Sequence, residues 1–219
     1  MAVKDFMTKR VVYVSPETTV AAAADIMREK GLRRLPVIEH DKLVGLITEG
    51  TMAEASPSKA TSLSIYEMNY LLNKTKVGDI MIKNVLTVSK YASLEDAIYI
   101  MLQNKIGVLP VVDNDQISGI ITDKDVFRAF LEISGYGQAG IRIGLEVPDT
   151  PRVLEKIANL IASENLNIER TIVAPKNDTV LRVELQVEGE IGIDRLKKVF
   201  VEAGFTVTEI AETEAKELD

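Results

Sequence analysis

The segment Thr122-Asp123-Lys124-Asp125 combines residue types and spacing that suggest chemistry. A carboxylate three positions after a threonine can form a capping box, each side chain satisfying a backbone N–H of the other, worth about 1 kcal/mol. The same carboxylate has two acceptor oxygens and can take hydrogen bonds from a vicinal diol. The threonine hydroxyl and the unpaired N–H groups of a helix start also suit an anion. The residues leave both uses open, and one carboxylate does not serve both in full. Other chemistry is scarce. With no cysteine, disulfides, thiolate metal sites and a cysteine nucleophile are excluded. His40 is the single histidine, in a Glu39-His40-Asp41 stretch that reads as a surface turn. No Gly-x-Ser-x-Gly elbow occurs, so no nucleophile relay is expected and the chain reads as a non-enzyme.

These residues sit within an internal duplication. Val3-Lys4-Asp5-Phe6-Met7 recurs 74 residues later as Val77-Gly78-Asp79-Ile80-Met81. The same offset carries Leu35-Pro36-Val37 onto Leu109-Pro110-Val111, and Gly45-Leu46-Ile47-Thr48 onto Gly119-Ile120-Ile121-Thr122, without a gap. The first copy therefore reads Thr48-Glu49-Gly50-Thr51, with a hydroxyl where the second has the Asp125 carboxylate. A hydroxyl does not match bidentate, charge-assisted acceptance, so one competent site is expected rather than two. Arg33 and Arg34 stand where the second copy has Gly107 and Val108. They could offer positive charge to an anion held by the facing repeat, or simply form surface ion pairs.

Each copy reads as strand (Val11 to Val14; Val85 to Val88), helix, strand, strand, then a helix after Thr48 or Thr122. Ser93 before Leu94-Glu95-Asp96 is a helix start signal. Leu94, Ala97, Ile98, Met101 and Leu102 have the spacing of one buried face, and Gly31 suits a helix end. Arg34 to Ile38 and Leu43 to Thr48 read as strands joined at His40-Asp41-Lys42. Residues 56–76 are an insertion, with a loop at Ser56-Pro57-Ser58 and a helix from Ser64 to Lys74. That helix carries Ile65, Met68, Leu71 and Leu72 on one side and Tyr66 and Tyr70 on another. Three glycines within 134–140 have linker composition. Beyond them the pattern is βαββαβ, with Pro151 suited to a first helical position, as in a ferredoxin-like fold. The acidic end, Glu212 to Asp219, is read as a solvated, frayed tail.

The chain has 219 residues, ample for a core, and 33 acids against 26 bases argue against a nucleic-acid binder. No apolar leader is evident in Met1-Ala2-Val3-Lys4-Asp5-Phe6, and no uncharged apolar run nears the roughly 18 residues of a membrane span. A cytoplasmic protein with no membrane partner is expected.

The duplicated half resembles a tandem pair of cystathionine-β-synthase (CBS) domains. The likeness rests on Asp5-Phe6-Met7 and Asp79-Ile80-Met81, the two Leu-Pro-Val segments, and Gly119-Ile120-Ile121-Thr122-Asp123-Lys124-Asp125. Val147-Pro148-Asp149-Thr150-Pro151-Arg152-Val153-Leu154, followed by Asn165-Leu166-Asn167-Ile168, resembles an ACT domain. The domain order is similar to that of acetoin-utilisation accessory proteins of bacteria. The resemblance implies an α/β (α+β) chain: a CBS pair with pseudo-twofold symmetry followed by a ferredoxin-like ACT domain. Its divisions would be 1–55, repeat 1; 56–76, insertion; 77–133, repeat 2; 134–140, linker; 141–213, ACT-like; 214–219, tail.

The resemblance further implies a regulatory protein, requiring no cofactor, that senses AMP, ADP, ATP or S-adenosylmethionine. Asp125 would hold the ribose and Thr122 the ribose or phosphate. Adenine would rest near Lys83-Asn84-Val85 and Ile106-Gly107-Val108-Leu109-Pro110, with Arg33 and Arg34 as phosphate partners. Implied partners are the nucleotide, a second copy of the chain and an unidentified regulated protein. ACT domains that bind amino acids commonly carry glycine where this chain has Arg152, so a dimerising role is the expectation there. An amino-acid sensor and a scaffold without nucleotide are the alternatives.

Overall fold

A computed structural model describes residues 1–55 and 65–216. The chain divides into two compact units, Met1–Phe127 and Arg128–Asp219. The first contains α1 (Val3–Phe6), α2 (Val20–Lys30), β1 (Arg34–Glu39), β2 (Lys42–Thr48), α3 (Glu49–Ala55) and α4 (Ile65–Lys74). The second copy supplies α5 (Val77–Ile80), α6 (Leu94–Asn104), β3 (Val108–Asp113), β4 (Gln116–Thr122) and α7 (Asp123–Ser134), which runs on into the second unit.

Local signals place the helices. Ser93 Oγ accepts from the Asp96 N–H at 3.0 Å while Asp96 Oδ2 accepts from the Ser93 N–H at 3.2 Å, closing the start of α6. Gly31 ends α2 in the left-handed conformation, φ 63°. Leu94, Ala97 and Met101 are buried, whereas Leu102, expected on that face, is 71% exposed. Eight residues on from Leu94, it lies about 80° round the helix, at the edge of the stripe. His40 and Asp41 form the tight turn between β1 and β2, both with positive φ.

The hairpins β1–β2 and β3–β4 make one sheet, ordered β1-β2-β4-β3, its halves joined through Lys42 opposite Gln116. The short first helices are exchanged. Val3 N–H donates to Ala92 O and Lys4 N–H to Lys90 O, both 3.0 Å, and Thr8 bridges Ile120. Reciprocally, Val77 N–H donates to Thr18 O at 2.8 Å, Gly78 N–H to Pro16 O at 2.9 Å, and Ile82 bridges Leu46. Every one of these contacts has its mate 74 residues away, so the duplication appears as a pseudo-twofold. Gly119 permits the exchange, since a Cβ there would come within 2.7 Å of Met7 Sδ; Gly45 does the same for Met81. Residues 1–9 therefore complete the second half, and repeat 1 is not self-contained within 1–55.

The expected strands at 11–14 and 85–88 do not form. Val14 meets Val37 and Val88 meets Val111 as single parallel bridges. These segments cross from one half to the other, and a crossing chain pairs at a point rather than along a ladder. In the insertion, α4 packs on α2 and Leu72 reaches the first-half core, while Tyr66 and Tyr70 face solvent. Leu71, placed on the packed side by its spacing, is 41% exposed. The loop expected at Ser56-Pro57-Ser58 lies outside the described residues, as do the side chains of Ile65 and Met68.

The second unit contains β5 (Gly140–Pro148), α8 (Val153–Ser163), β6 (Asn167–Asn177), β7 (Val180–Glu188), α9 (Ile193–Glu202) and β8 (Thr206–Thr213). Its sheet order β6-β7-β5-β8, antiparallel throughout, is the ferredoxin-like βαββαβ arrangement. Ile143, Leu145, Ile157, Ile161, Leu185 and Phe200 fill the core. Between the inward strand residues stand charges, paired as Arg142–Glu184 and Lys176–Glu146, each at 2.7 Å. The first helix starts at Val153 rather than Pro151, because Arg152 takes a left-handed conformation, φ 68°, that a helix does not admit.

The glycines at 134–140 do not mark the division between units, which falls inside α7. Residues 135–140 are held within the second unit: Lys216 N–H donates to Gly137 O at 2.9 Å and Thr213 Oγ1 to Gln138 O at 2.8 Å. The tail expected to fray from Glu212 thus continues β8 through Thr213 and is pinned at Lys216. Residues 217–219 lie outside the described residues. No helix among the described residues is long and apolar enough to cross a membrane.

One acid ties a strand end to the crossing segment. Asp113 accepts from Ser89 Oγ at 2.7 Å, Ser118 Oγ at 3.1 Å and the Lys90 N–H at 3.3 Å. The Ser89 hydrogen bond foremost holds its carboxyl below the usual range, against an opposing effect of burial. A depressed native pKa contributes stability that is whole above the unfolded value and lost as pH falls through the native one. Thermal midpoints of wild type and Asp113→Asn should therefore converge as pH drops below the ordinary carboxylate value. Parallel midpoint curves across that range would contradict this.

Candidate functional site

Thr122 ends β4 and Asp125 lies in the first turn of α7, so the pair sits where strand gives way to helix. The capping box is made. Asp125 Oδ2 accepts from the Thr122 N–H at 2.8 Å and from Thr122 Oγ1 at 2.7 Å. The Asp125 N–H reaches Thr122 Oγ1 at 3.4 Å. Both bonds to the carboxylate fall on one oxygen, Oδ2. Among the described residues, nothing donates to Oδ1.

The N–H groups expected to be free for a phosphate are occupied. The Asp123 N–H donates to Gly107 O at 3.2 Å, the Lys124 N–H to Asp123 Oδ1 at 2.9 Å, and the Asp125 N–H is the one just described. The Thr122 hydroxyl proton is also spent, on Asp125. A helix start binds anions through unpaired donors, and this one holds none in its first three residues. That expectation is corrected.

Gly107 faces the same corner. A Cβ on it would lie 2.6 Å from Asp123 Oδ2 and 3.1 Å from Arg34 Nη2, so only glycine lets these groups approach. Arg34 reaches across from the first repeat and donates from Nη1 to Gly107 O at 3.1 Å. Arg34 and Asp123 are half-buried, and neither was singled out by sequence as part of this contact. The signal existed in the self-alignment: Gly107 and Asp123 match Arg33 and Glu49, a coupled exchange of a space for a charge pair.

The first copy is built otherwise. Arg33 Nε lies 3.9 Å from Glu49 Oε2, both well exposed. Thr51 Oγ1 accepts from the Thr48 N–H at 2.9 Å and donates to Thr48 O at 2.9 Å. Its single proton is used locally, and no carboxylate takes its place.

Of the remaining candidates, Lys83 and Asn84 are exposed and Val85 half-buried, on the segment crossing between halves. Ile106 and Gly107 are half-buried just before β3. Val108, Leu109 and Pro110 are buried, Leu109 completely, so these strand residues offer backbone rather than side chain. His40 is exposed, and no group of three or more metal-ligating side chains occurs among the described residues.

The second unit has a separate open groove of about 720 Å³, lined by Thr150, Arg152, Lys156, Asn159, Leu160 and Phe205 among others. Both basic groups there are committed. Arg152 grips Glu155 with two hydrogen bonds of 2.7 and 2.8 Å, which raise its pKa and lower that of Glu155, and Lys156 Nζ donates to Ala203 O at 2.8 Å.

The sequence model of the CBS domain matches residues 3–58 and 77–132. A protein from Methanocaldococcus jannaschii, MJ1225, is 34% identical over 130 residues; the match covers 58% of this chain and only 46% of that protein, so the chain spans about half its relative's length. The structure of CBSX2 in complex with AMP, a protein of Arabidopsis thaliana, aligns with TM-score 0.51 and 37% identity over 60% of this chain and 97% of the other. That of an acetoin utilization protein (AcuB) from Vibrio cholerae aligns with TM-score 0.53 and 27% identity, over 63% and 98%.

Removing the Asp125 carboxylate leaves the Thr122 N–H at the α7 start without its acceptor. Asp125→Ala should destabilise the first unit by about 1 kcal/mol, read as a lower urea midpoint with an unchanged slope. An unchanged midpoint would show the box to be energetically idle.

Proposed function

The chain belongs to the CBS-domain family, and we propose that it is a non-enzymatic regulator that binds one adenine nucleotide at the Thr122–Asp125 corner. The observation carrying this reading is the divided carboxylate. Asp125 closes its helix with Oδ2 alone, and Oδ1 takes no protein donor among the described residues. Ribose hydroxyls are neutral donors for which a half-committed carboxylate remains a strong acceptor. Ile106, half-buried just before β3, lies beside this corner and would face the base. The AMP-bound state of the similar CBSX2 supports the ligand class. The first-copy corner, with Thr51 spent on Thr48, is left out of the reading.

The ligand acts by favouring one arrangement of the two repeats over another, which shifts a population in proportion to its differential affinity. We assign the second unit, by its βαββαβ order and the residues resembling ACT domains, as the module that pairs two copies. Its outward strand residues are ion-paired charges, which favours pairing through edges or helices rather than that sheet face. The likeness to AcuB supports a setting in acetoin metabolism.

Thermal unfolding of the full chain with AMP, ADP, ATP or S-adenosylmethionine tests the reading. Binding at 100 times the dissociation constant stabilises by about 2.7 kcal/mol, a rise of several degrees. Asp125→Asn should keep part of the cap and lose that rise, because the amide has no second acceptor oxygen to offer. No rise with any of the four would leave the scaffold alternative. A rise with free amino acids instead would move the function to the groove beside Arg152.

A further inference from the structure

We propose that Met7 and Met81 are a matched pair of oxidation sites, and that a peroxide, by converting their thioethers to sulfoxides, releases the exchanged helices that tie the two halves of the first unit together. Neither residue is among those assigned to the nucleotide.

Each sulfur occupies a slot that a glycine leaves open in the opposite half. A Cβ on Gly119 would lie 2.7 Å from Met7 Sδ, 2.9 Å from Thr8 O and 3.1 Å from Met7 Cγ. Under the pseudo-twofold, a Cβ on Gly45 would collide with Met81 Sδ and lie 3.1 Å from Ile82 O. Both glycines are buried, so each thioether lies against strand backbone. The next residue on each arm makes the bridge to that strand. The Thr8 N–H donates to Ile120 O at 2.9 Å and the Ile120 N–H to Thr8 O at 3.0 Å, while Ile82 and Leu46 exchange two bonds of 2.9 Å. A sulfur that shifts takes its bridge with it.

Position makes these two sulfurs the vulnerable ones. Met27, Met52 and Met101 are buried in the cores, whereas Met7 and Met81 are half-buried and within reach of a small oxidant. Oxygen transfer from hydrogen peroxide breaks its O–O bond, places one oxygen on sulfur and releases water. The sulfur loses two electrons and the peroxide gains them. A flexible apolar group thereby becomes a polar acceptor. Among the described residues, the nearest N–H groups are already spent. Those of Thr8, Ile120, Ile82 and Leu46 make the bridges, and those of Met7 and Met81 donate to Val3 O and Val77 O. The slot is walled instead by a carbonyl oxygen, Thr8 O or Ile82 O, which repels a second acceptor. The sulfoxide therefore turns out to water. It draws Thr8 or Ile82 off the strand and loosens the fully buried anchors Val3 and Val77 behind them. Sulfoxides are reduced enzymatically, so the release is reversible.

Treatment of the full chain with hydrogen peroxide, followed by peptide mass spectrometry and thermal unfolding, tests this on wild type, Met7→Leu, Met81→Leu and the double variant. Leucine keeps the size and apolarity and removes the sulfur. In wild type, Met7 and Met81 should each gain one oxygen before Met27, Met52 and Met101 do, and the midpoint should fall by several degrees in step with them. Amide exchange at Thr8 and Ile82 should quicken about 10-fold or more, the effect of one acceptor left unpaired. The double variant should hold its midpoint through the same treatment, and each single variant should lose less than wild type. Should the double variant not fold, the single variants carry the same comparison. Methionine sulfoxide reductases acting on both epimers should restore the wild-type midpoint. The proposal is overturned by an undiminished fall in the leucine variants, by core methionines oxidised as fast as Met7 and Met81, or by a midpoint indifferent to oxidation at those two sites. A midpoint that stays low after reduction assigns the loss to other damage and overturns it as well. No readout here involves a nucleotide, so failure leaves the nucleotide reading untouched.

Discussion

A single carboxylate closes a helix with one oxygen and leaves the other without a protein donor among the described residues. Asp125 spends one oxygen on the Thr122 N–H and hydroxyl. That fixes the start of α7 against the end of β4, and so fixes where the second oxygen stands. Were both oxygens needed for the cap, the site would have to melt its own helix to bind. Were neither needed, the carboxylate would be free to rotate, and the ordering cost would fall on binding. On the proposed reading, the half-commitment would give a preorganised acceptor at the cost of one lone-pair direction.

The rest of the first unit serves to bring the two halves to that corner. The exchange of α1 and α5 makes each half incomplete without the other, and the crossing segments carry the chain between them as single bridges rather than ladders. The consequence is a pseudo-twofold with unlike ends. One end has a glycine, an acid and an arginine reaching in from the opposite repeat. The other fills the glycine's place with Arg33, pairs it with Glu49, and closes its box with two hydroxyls. Duplication produced two equivalent positions, and substitution at four residues makes them chemically distinct.

Much of this was legible in the sequence, for reasons that can be named. Ser93 and Gly31 are short-range signals that act within one turn, and both capped as their types require. The gapless offset gave the pairing of equivalents, and the βαββαβ order of the second unit followed from alternation alone. What escaped were facts about which surface a segment meets. Self-similarity does not tell whether Val3–Phe6 packs on its own half or the other. A run of valines at 11–14 has strand propensity even where the chain merely crosses. Pro151 signals a helix start, and the left-handed Arg152 one residue later overrules it. At the candidate site, the Thr-x-x-Asp spacing signals the cap, and the cap forms. Only the geometry separates the two oxygens and shows that the neighbouring N–H groups are already taken.

The most direct measurement is a crystal structure of the full chain grown with saturating AMP. The account predicts one nucleotide per chain, its ribose hydroxyls within hydrogen-bond distance of Asp125 Oδ1, with Oδ2 still on the Thr122 N–H. Density at the Thr48–Thr51 corner instead, or an empty Thr122–Asp125 corner with the capping box unchanged, would contradict it.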